Sequence, residues 1–196
     1  MKTVAAFALA LSLIVPRNAA SQRSATLAVS VDRVSLSGII ESSSRQISLR
    51  AEGNLTPLHG LEIAMGHLEE TQTQGNWHPS QGEAPYTVGF EAYPVQLSYV
   101  LFVPNLIRPV QPFFRIGGDW VRLKDTYRSD TPEESFKTSF LGGHTGAGIR
   151  AMLGPFLWCS IGGEYRVFRE DHGRPPLAIN LNGWALRGSI GLRISE

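Results

Sequence analysis

The chain has 196 residues, a length that favours a single domain. Lys and Arg together number 18 and Asp and Glu 17, so the composition gives no sign of the basic surface that nucleic-acid binding requires. We therefore expect no nucleic-acid partner. Cys159 is the only cysteine, which excludes an internal disulfide.

The first twenty residues have the layout of a secretory signal peptide. Lys2 provides the positive start, residues 4–15 are apolar apart from Ser12, and the small residues Ala19 and Ala20 follow Pro16. The apolar stretch is too short for a membrane-spanning helix, which needs about 20 residues. The pattern predicts a signal peptide over residues 1–20, cleavage after Ala20, and a mature domain over residues 21–196.

The rest of the chain alternates apolar and polar residues, as in the segment where Leu27, Val29 and Val31 alternate with small or polar residues. A period of two indicates half-buried strands. In chain order the predicted strands are 25–35, 45–55, 61–70, 88–103, 110–124, 138–152, 156–168 and 180–194. Their number is even, and each has at least the roughly 9–11 residues that a membrane-spanning strand needs.

The connections between these strands alternate in length. Short turns are predicted at 56–60, 104–109 and 153–155, and longer polar loops at 36–44, 71–87, 125–137 and 169–179. Transmembrane barrels sort their connections in this way, with short turns in the periplasm and long loops outside. The fold class predicted is therefore all-β: an eight-stranded, antiparallel, up-and-down transmembrane β-barrel. The third loop is acidic, and we expect it to be simply solvated.

Charged residues within the strands indicate which face is inside. A soluble core could hold them only if each were paired, and no amphipathic helix is available to cover the apolar face. We therefore expect the charges to form a luminal polar network. Its members are Asp32, Arg50, Glu52, Glu62, Arg115, Asp119, Arg150, Glu164, Arg166, Arg187 and Arg193.

Aromatic residues gather near the strand ends. Trp120, Tyr127, Phe136, Phe140 and Trp184 are near the loops. Phe102, Phe113, Phe114, Phe156 and Trp158 are near the turns. They fit either two girdles facing the membrane interfaces or side chains filling the barrel mouths.

The late part of the chain resembles a known family. It combines a glycine-rich strand at 146–150, a tight turn at 153–155, and the triplet Glu164, Tyr165 and Arg166. This hairpin looks like that of the small outer-membrane β-barrels related to outer-membrane proteins X and A. The resemblance implies an outer-membrane location and insertion by the barrel-assembly machinery. Family members usually end in an aromatic residue, whereas this chain ends in Ser195 and Glu196, with Ile194 the last apolar residue.

The sequence predicts no catalytic residue, cofactor or metal site. The five histidines lack the spacing of a zinc helix. His144 has inward parity, and Ser139, Ser160 and Glu164 are on the same or a neighbouring strand. Some outer-membrane enzymes that trim lipid A use a His–Ser–Glu group, but a histidine within a polar network is the favoured interpretation.

The favoured function is therefore a non-enzymatic membrane barrel, acting in envelope integrity or surface interaction through its extracellular loops. We expect a monomer in contact with outer-membrane lipid and lipopolysaccharide. Three alternatives remain open: a lipid A-modifying enzyme, a narrow pore, and a soluble exported barrel that binds an apolar ligand. Eight strands leave an interior that side chains can fill, so we expect little or no conductance.

Overall fold

The computed structural model describes residues 24–36, 42–75, 81–82, 85–104, 109–128, 133–169 and 181–195. The predicted signal peptide lies outside these residues. The described chain forms eight strands: β1 (Ser24–Leu36), β2 (Ser42–Thr56), β3 (His59–Gly75), β4 (Tyr86–Phe102), β5 (Val110–Arg128), β6 (Glu134–Met152), β7 (Leu157–Phe168) and β8 (Gly183–Ser195). No helix in the described ranges is long and apolar enough to cross a membrane.

The strands form one closed barrel in the order of the chain. Every neighbouring pair is antiparallel, and β8 closes the barrel on β1, where Val31 pairs with Gly188. This confirms the predicted eight-stranded, up-and-down barrel. We call the end with the 57–58, 103–109 and 153–156 connections, where Ser24 pairs with Ser195, the turn end. The opposite end is the loop end.

Alternation along each strand separates the inside of the barrel from the outside. In β1, Ser30 and Asp32 are buried, whereas Val29 and Val31 are about half exposed. The same arrangement covers the barrel exterior with apolar side chains, of which Leu141 (71% exposed) and Ile116 (62% exposed) are examples. A soluble protein would leave far less large apolar surface in contact with water. We call this exterior surface the apolar band.

Strands β1–β6 are longer at the loop end than the sequence predicts, whereas β7 ends at the predicted residue 168 and β8 begins at Gly183, three residues later than predicted. The loop predicted over residues 125–137 is reduced, because β5 continues to Arg128 and β6 begins at Glu134. Likewise β3 continues to Gly75 and β4 begins at Tyr86. The acidic-loop prediction is therefore wrong for Asp125, which is a buried strand residue. Glu133 instead forms an exposed ion pair with Arg128 at 2.7 Å.

Pro94 lies in the middle of β4, where a proline cannot donate a ladder hydrogen bond. The pairing of β3 with β4 is unbroken up to Met65 opposite Val95. It resumes in the same register at Leu68 opposite Ala92. Gly66 lies in this interval. A Cβ added to Gly66 would come within 3.1 Å of the Pro94 ring. Glycine therefore leaves room for the proline ring inside the barrel.

Candidate functional site

The middle of the lumen holds the charged residues that the alternation predicts to face inward. Ten of the eleven are buried: Asp32, Arg50, Glu52, Glu62, Arg115, Asp119, Arg150, Glu164, Arg166 and Arg187. We call these ten the luminal network. Arg193 differs from the expectation, because it lies near the end of β8, is only half-buried, and joins none of the described ion pairs. Its position at the barrel mouth leaves its side chain partly in water.

The layer nearest the turn end joins β2 to β6. Arg150 donates two hydrogen bonds to the Glu52 carboxylate, Nη1 to Oε1 at 2.9 Å and Nη2 to Oε2 at 2.6 Å. Its guanidinium carbon is 4.7 Å from the centre of the Phe102 ring and 4.2 Å from that of Trp158. A bidentate pair between aromatic faces is a strong arrangement for a buried arginine. The predicted turn-end aromatics Phe102, Phe113 and Trp158 thus fill the mouth rather than face lipid, while Phe114 and Phe156 point outward.

The middle layer places Glu62 between two arginines. Arg50 Nη2 is 2.5 Å from Glu62 Oε1, and Arg115 Nη2 is 3.3 Å from Glu62 Oε2. Arg115 also approaches Glu164, at 3.6 Å. The layer therefore connects β2, β3, β5 and β7 across the lumen.

The third layer is centred on Arg187. Its Nη2 is 2.8 Å from Asp32 Oδ2, and its Nη1 is 2.8 Å from Glu164 Oε2. Arg166 approaches the same two carboxylates at 3.2 and 2.8 Å. Gln96 accepts a hydrogen bond from Arg187 at 2.9 Å and donates one to Asp119 at 2.8 Å. Burial of so many charges is tolerated only because each carboxylate has hydrogen-bonding partners.

The charges of the luminal network balance. It contains five arginines and five carboxylates, so it is neutral when His144 is neutral. Such balance favours a structural role for the network, because a lumen selective for one ion sign would carry an excess of the opposite charge. The charged members of the network could be identified from the sequence because they share inward parity. Gln46 and Gln96 also face the lumen, but the sequence analysis did not identify them because they are uncharged.

His144 is part of an arrangement that the sequence did not predict. Its Nδ1 is 3.0 Å from both carboxylate oxygens of Asp119, and its Nε2 is 2.9 Å from Ser98 Oγ. When Asp119 accepts a hydrogen bond from Nδ1–H, Nε2 of the neutral ring accepts one from the Ser98 hydroxyl. Ser139 faces outward and makes no such contact. The order serine, histidine and aspartate is that of nucleophilic hydrolases.

This Ser98–His144–Asp119 group has no open cleft beside it. All three residues are buried, and the side chain of His144 is 0% exposed. A Cβ added to Gly117 would lie 2.1 Å from Leu97 O and 2.7 Å from His144 Cε1, so the backbone and the ring are in close contact. Catalysis requires a substrate atom within reach of the nucleophile, and this packing provides no space for one.

The free space in the middle of the lumen is small. A cavity of about 10 Å³, lined by Arg115, Ser160, Glu164 and Arg187 among others, has room for about one water molecule. Arg115 Nε lacks a hydrogen-bond partner, which makes this a suitable place for a water. Side chains of the described residues therefore leave little space around this cavity.

The loop-end half of the lumen contains an apolar cluster that the sequence analysis did not predict. Val34, Leu68, Phe90, Leu123 and Tyr127 belong to one buried cluster there, which we call the apolar plug. Phe140 is also in this cluster, with Phe136 packed against it, whereas Trp120 and Trp184 are exposed on the outside. The predicted loop-end aromatics are thus divided between filling the mouth and facing outward.

Asp125 faces inward at the level of the apolar plug. It pairs in register with Phe90 and Phe136, is 1% exposed, and its Oδ1 has no hydrogen-bond partner. The outward side of β5 becomes charged from Arg122 onward, so Asp125 lies beyond the membrane-spanning part of this strand. Burial raises the pKa of Asp125 to about 7.

Comparison with known proteins identifies the fold. No protein-family model and no curated protein matches the chain. Among solved structures, it is similar to the N-terminal β-barrel domain of OprF from Pseudomonas aeruginosa, at 10% identity and a TM-score of 0.59, covering 88% of this chain and 98% of that one. It is also similar to Neisserial surface protein A, at 11% identity and 0.57, covering 91% and 100%.

A third similar structure is Ail, the attachment invasion locus protein of Yersinia pestis, at 15% identity and a TM-score of 0.55, covering 89% of this chain and 99% of that one. In all three comparisons the match includes nearly the whole of the other barrel. The chain therefore has the fold of the small outer-membrane β-barrels, as the resemblance in its sequence implies.

Proposed function

We propose that this chain is a monomeric protein of a bacterial outer membrane, without enzymatic activity, that acts in envelope integrity or in surface contacts through its extracellular loops. A signal peptide over residues 1–20 directs its export, and the barrel-assembly machinery inserts it. Outer-membrane lipid and lipopolysaccharide surround it. The turn end faces the periplasm and the loop end faces outward, as in other transmembrane barrels.

One observation carries this proposal: the barrel is apolar outside and charged inside. Leu97, Ile116, Leu141 and Ile190 are more than half exposed on the exterior, whereas Arg187 is 4% exposed in the lumen. The apolar band is stable in contact with the hydrocarbon of a lipid bilayer. A soluble barrel that binds an apolar ligand would need the reverse arrangement, with an apolar cavity inside. The filled lumen likewise supports a closed barrel rather than a pore.

The first test is the location of the protein and the stability of the barrel in detergent. We expect the protein in the outer-membrane fraction, with a mobility on SDS gels that changes on boiling, because a closed barrel has no free strand edge from which unfolding can begin. A soluble periplasmic protein with one mobility, heated or not, would contradict the proposal. A known barrel and a known periplasmic protein from the same cells serve as controls.

The Ser98–His144–Asp119 group supports one second candidate, an enzyme that acts on lipid A or another ester. Its distances are those of a nucleophile with an oriented base, but its burial argues against access. We expect a fluorophosphonate probe to leave Ser98 unlabelled in the folded barrel. We also expect the lipid A acyl pattern, measured by mass spectrometry, to be the same with wild-type protein and with His144→Ala. Labelling of Ser98 that His144→Ala abolishes would instead favour the enzyme.

A further inference from the structure

Three cations lie together on the outward faces of β5 and β6, immediately beyond the apolar band. Lys124 is directly opposite Lys137, and Arg122 is opposite Ser139 in the adjacent outward-facing row. Arg122 and Lys137 are exposed, and Lys124 is half-buried. We call Arg122, Lys124 and Lys137 the basic cluster.

The charges of the chain compensate the basic cluster only in part. Two like charges directly opposite each other destabilise an antiparallel pair, and Lys124 and Lys137 are such a pair. Glu91 is opposite Lys124 on β4, and Glu69 is opposite Glu91 on β3. The Glu91 carboxylate also accepts a hydrogen bond from the Tyr93 hydroxyl. Within the described parts of the chain, none of the three cations forms an ion pair. An anion from outside the chain would remove this repulsion.

The surface next to the basic cluster is apolar on its membrane side. Trp120 and Leu141 form the next outward-facing row, and Gly118 and Gly143 form the row beyond it. Trp120 and Leu141 are exposed, whereas the paired glycines have no side chains. The glycine pair therefore leaves a shallow furrow in the apolar band, one row below Trp120 and Leu141. The combination of cations above a furrow fits a molecule with an anionic head and an acyl chain.

We propose that the basic cluster binds a phosphate of the phosphorylated glycolipid of the outer leaflet, lipid A, and that an acyl chain of this lipid lies over Gly118 and Gly143. The planar Arg122 guanidinium can donate two hydrogen bonds to one phosphate, and the two lysines act as point charges beside it. This site rests on the proposed outer-membrane location. It lies entirely on strands, because β5 and β6 hold all three cations.

The test measures binding of purified full-length mature barrel in detergent micelles, with bound lipid counted by native mass spectrometry. The probes are diphosphoryl lipid A, lipid A without phosphates, phosphatidylglycerol and inorganic phosphate. Arg122→Ser/Lys124→Ser/Lys137→Ser is compared with the matched control Arg128→Ser. Arg128 is on the same strand and faces the same way, but it lies further from the apolar band and is paired with Glu133. Lys137→Ser alone provides a milder variant.

We expect wild-type protein and Arg128→Ser to prefer diphosphoryl lipid A over the other three probes. The triple variant should bind it on the order of a hundredfold more weakly, because each cation near a lipid surface contributes about a factor of five. Lys137→Ser should lose about fivefold. Added salt should weaken wild-type binding.

Two other results would overturn the inference. One is equal affinity of wild-type and triple-variant protein for lipid A. The other is equal binding of phosphatidylglycerol or inorganic phosphate by wild-type protein, which would mean that any anion suffices. A heat-modifiable barrel that shows either result leaves the proposed location intact. A wild-type protein that forms no heat-modifiable barrel overturns the proposed function, and this inference with it.

Discussion

Replacing Arg187 with Met is expected to lower the free energy of unfolding by roughly 3–5 kcal/mol, the usual cost of removing one partner from a buried ion pair. Arg187 contacts Asp32 and Glu164 at 2.8 Å and also donates to Gln96. Methionine fills a similar volume but leaves both carboxylates with fewer donors. The measurement is denaturant unfolding of the barrel in lipid vesicles.

The control for this prediction is Arg193→Met on the same strand. Arg193 is half-buried at the barrel mouth and joins none of the described ion pairs, so we expect its replacement to change the unfolding free energy by no more than about 0.5 kcal/mol. If Arg187→Met and Arg193→Met had the same small effect, the luminal network would not contribute to stability through its pairing.

A double replacement separates lost pairing from lost volume. Asp32→Asn removes the carboxylate that Arg187 and Arg166 both contact. Added to Arg187→Met, it should cost less than the sum of the two single changes, because the unpaired negative charge is then absent. Additive effects would contradict a direct interaction between the two side chains. Glu164 stays with Arg166 and Arg115 in every variant.

The strands could be predicted from sequence because a period of two is strong wherever one face is in lipid and the other holds polar groups. Val29 and Val31 against Ser30 and Asp32 are such a case. The prediction of strand ends failed where the outward face is no longer apolar and the inward face is no longer polar. Near the loop end of β5 the outward residues Thr126 and Arg128 are polar, so residues 125–128 were predicted as part of a polar loop although they remain in the strand.

The contents of the lumen were harder to predict for two physical reasons. The charged residues of inward parity predicted a polar network, yet Phe90 and Leu123 on the same parity belong to the apolar plug. Contacts across the lumen also depend on register: Ser98, Asp119 and His144 belong to three different strands. A sequence without known turn geometry leaves register open, so the partner of His144 could not be identified.

Asp125→Asn is expected to remove a pH dependence of stability that the buried carboxyl creates. The pKa of Asp125 rises from 3.8 to about 7 in the folded barrel. Between these two values the unfolded chain has lost the proton and the folded barrel has kept it. Unfolding therefore becomes easier as pH rises from about 4 to 7 and changes no further above that range. The difference amounts to roughly 2–4 kcal/mol.

The predicted slope of stability against pH is assigned to Asp125 because the described residues around it provide no cation that would stabilise the ionised carboxylate. Phe90 and Phe136 are opposite it, and the titratable residues of inward parity nearest in the register are Glu70, Tyr127 and Glu134. None of these is a cation. The amide of asparagine is neutral at every pH, so Asp125→Asn should match wild type near pH 4 and exceed its stability near pH 8.

The measurement is the unfolding free energy in lipid vesicles at pH 4, 6 and 8, for wild type, Asp125→Asn and the control Glu133→Gln. Glu133 is a carboxylate near the same barrel end, but it is exposed and paired with Arg128, so its replacement should leave the wild-type slope in place. The other carboxylates contribute equally to the pH dependence of all three proteins. The difference in unfolding free energy between Asp125→Asn and wild type therefore gives the contribution of the Asp125 carboxyl. If Asp125→Asn kept the wild-type slope, the carboxyl would be ionised in the folded barrel, and the apolar plug would have to admit water or a cation at Oδ1.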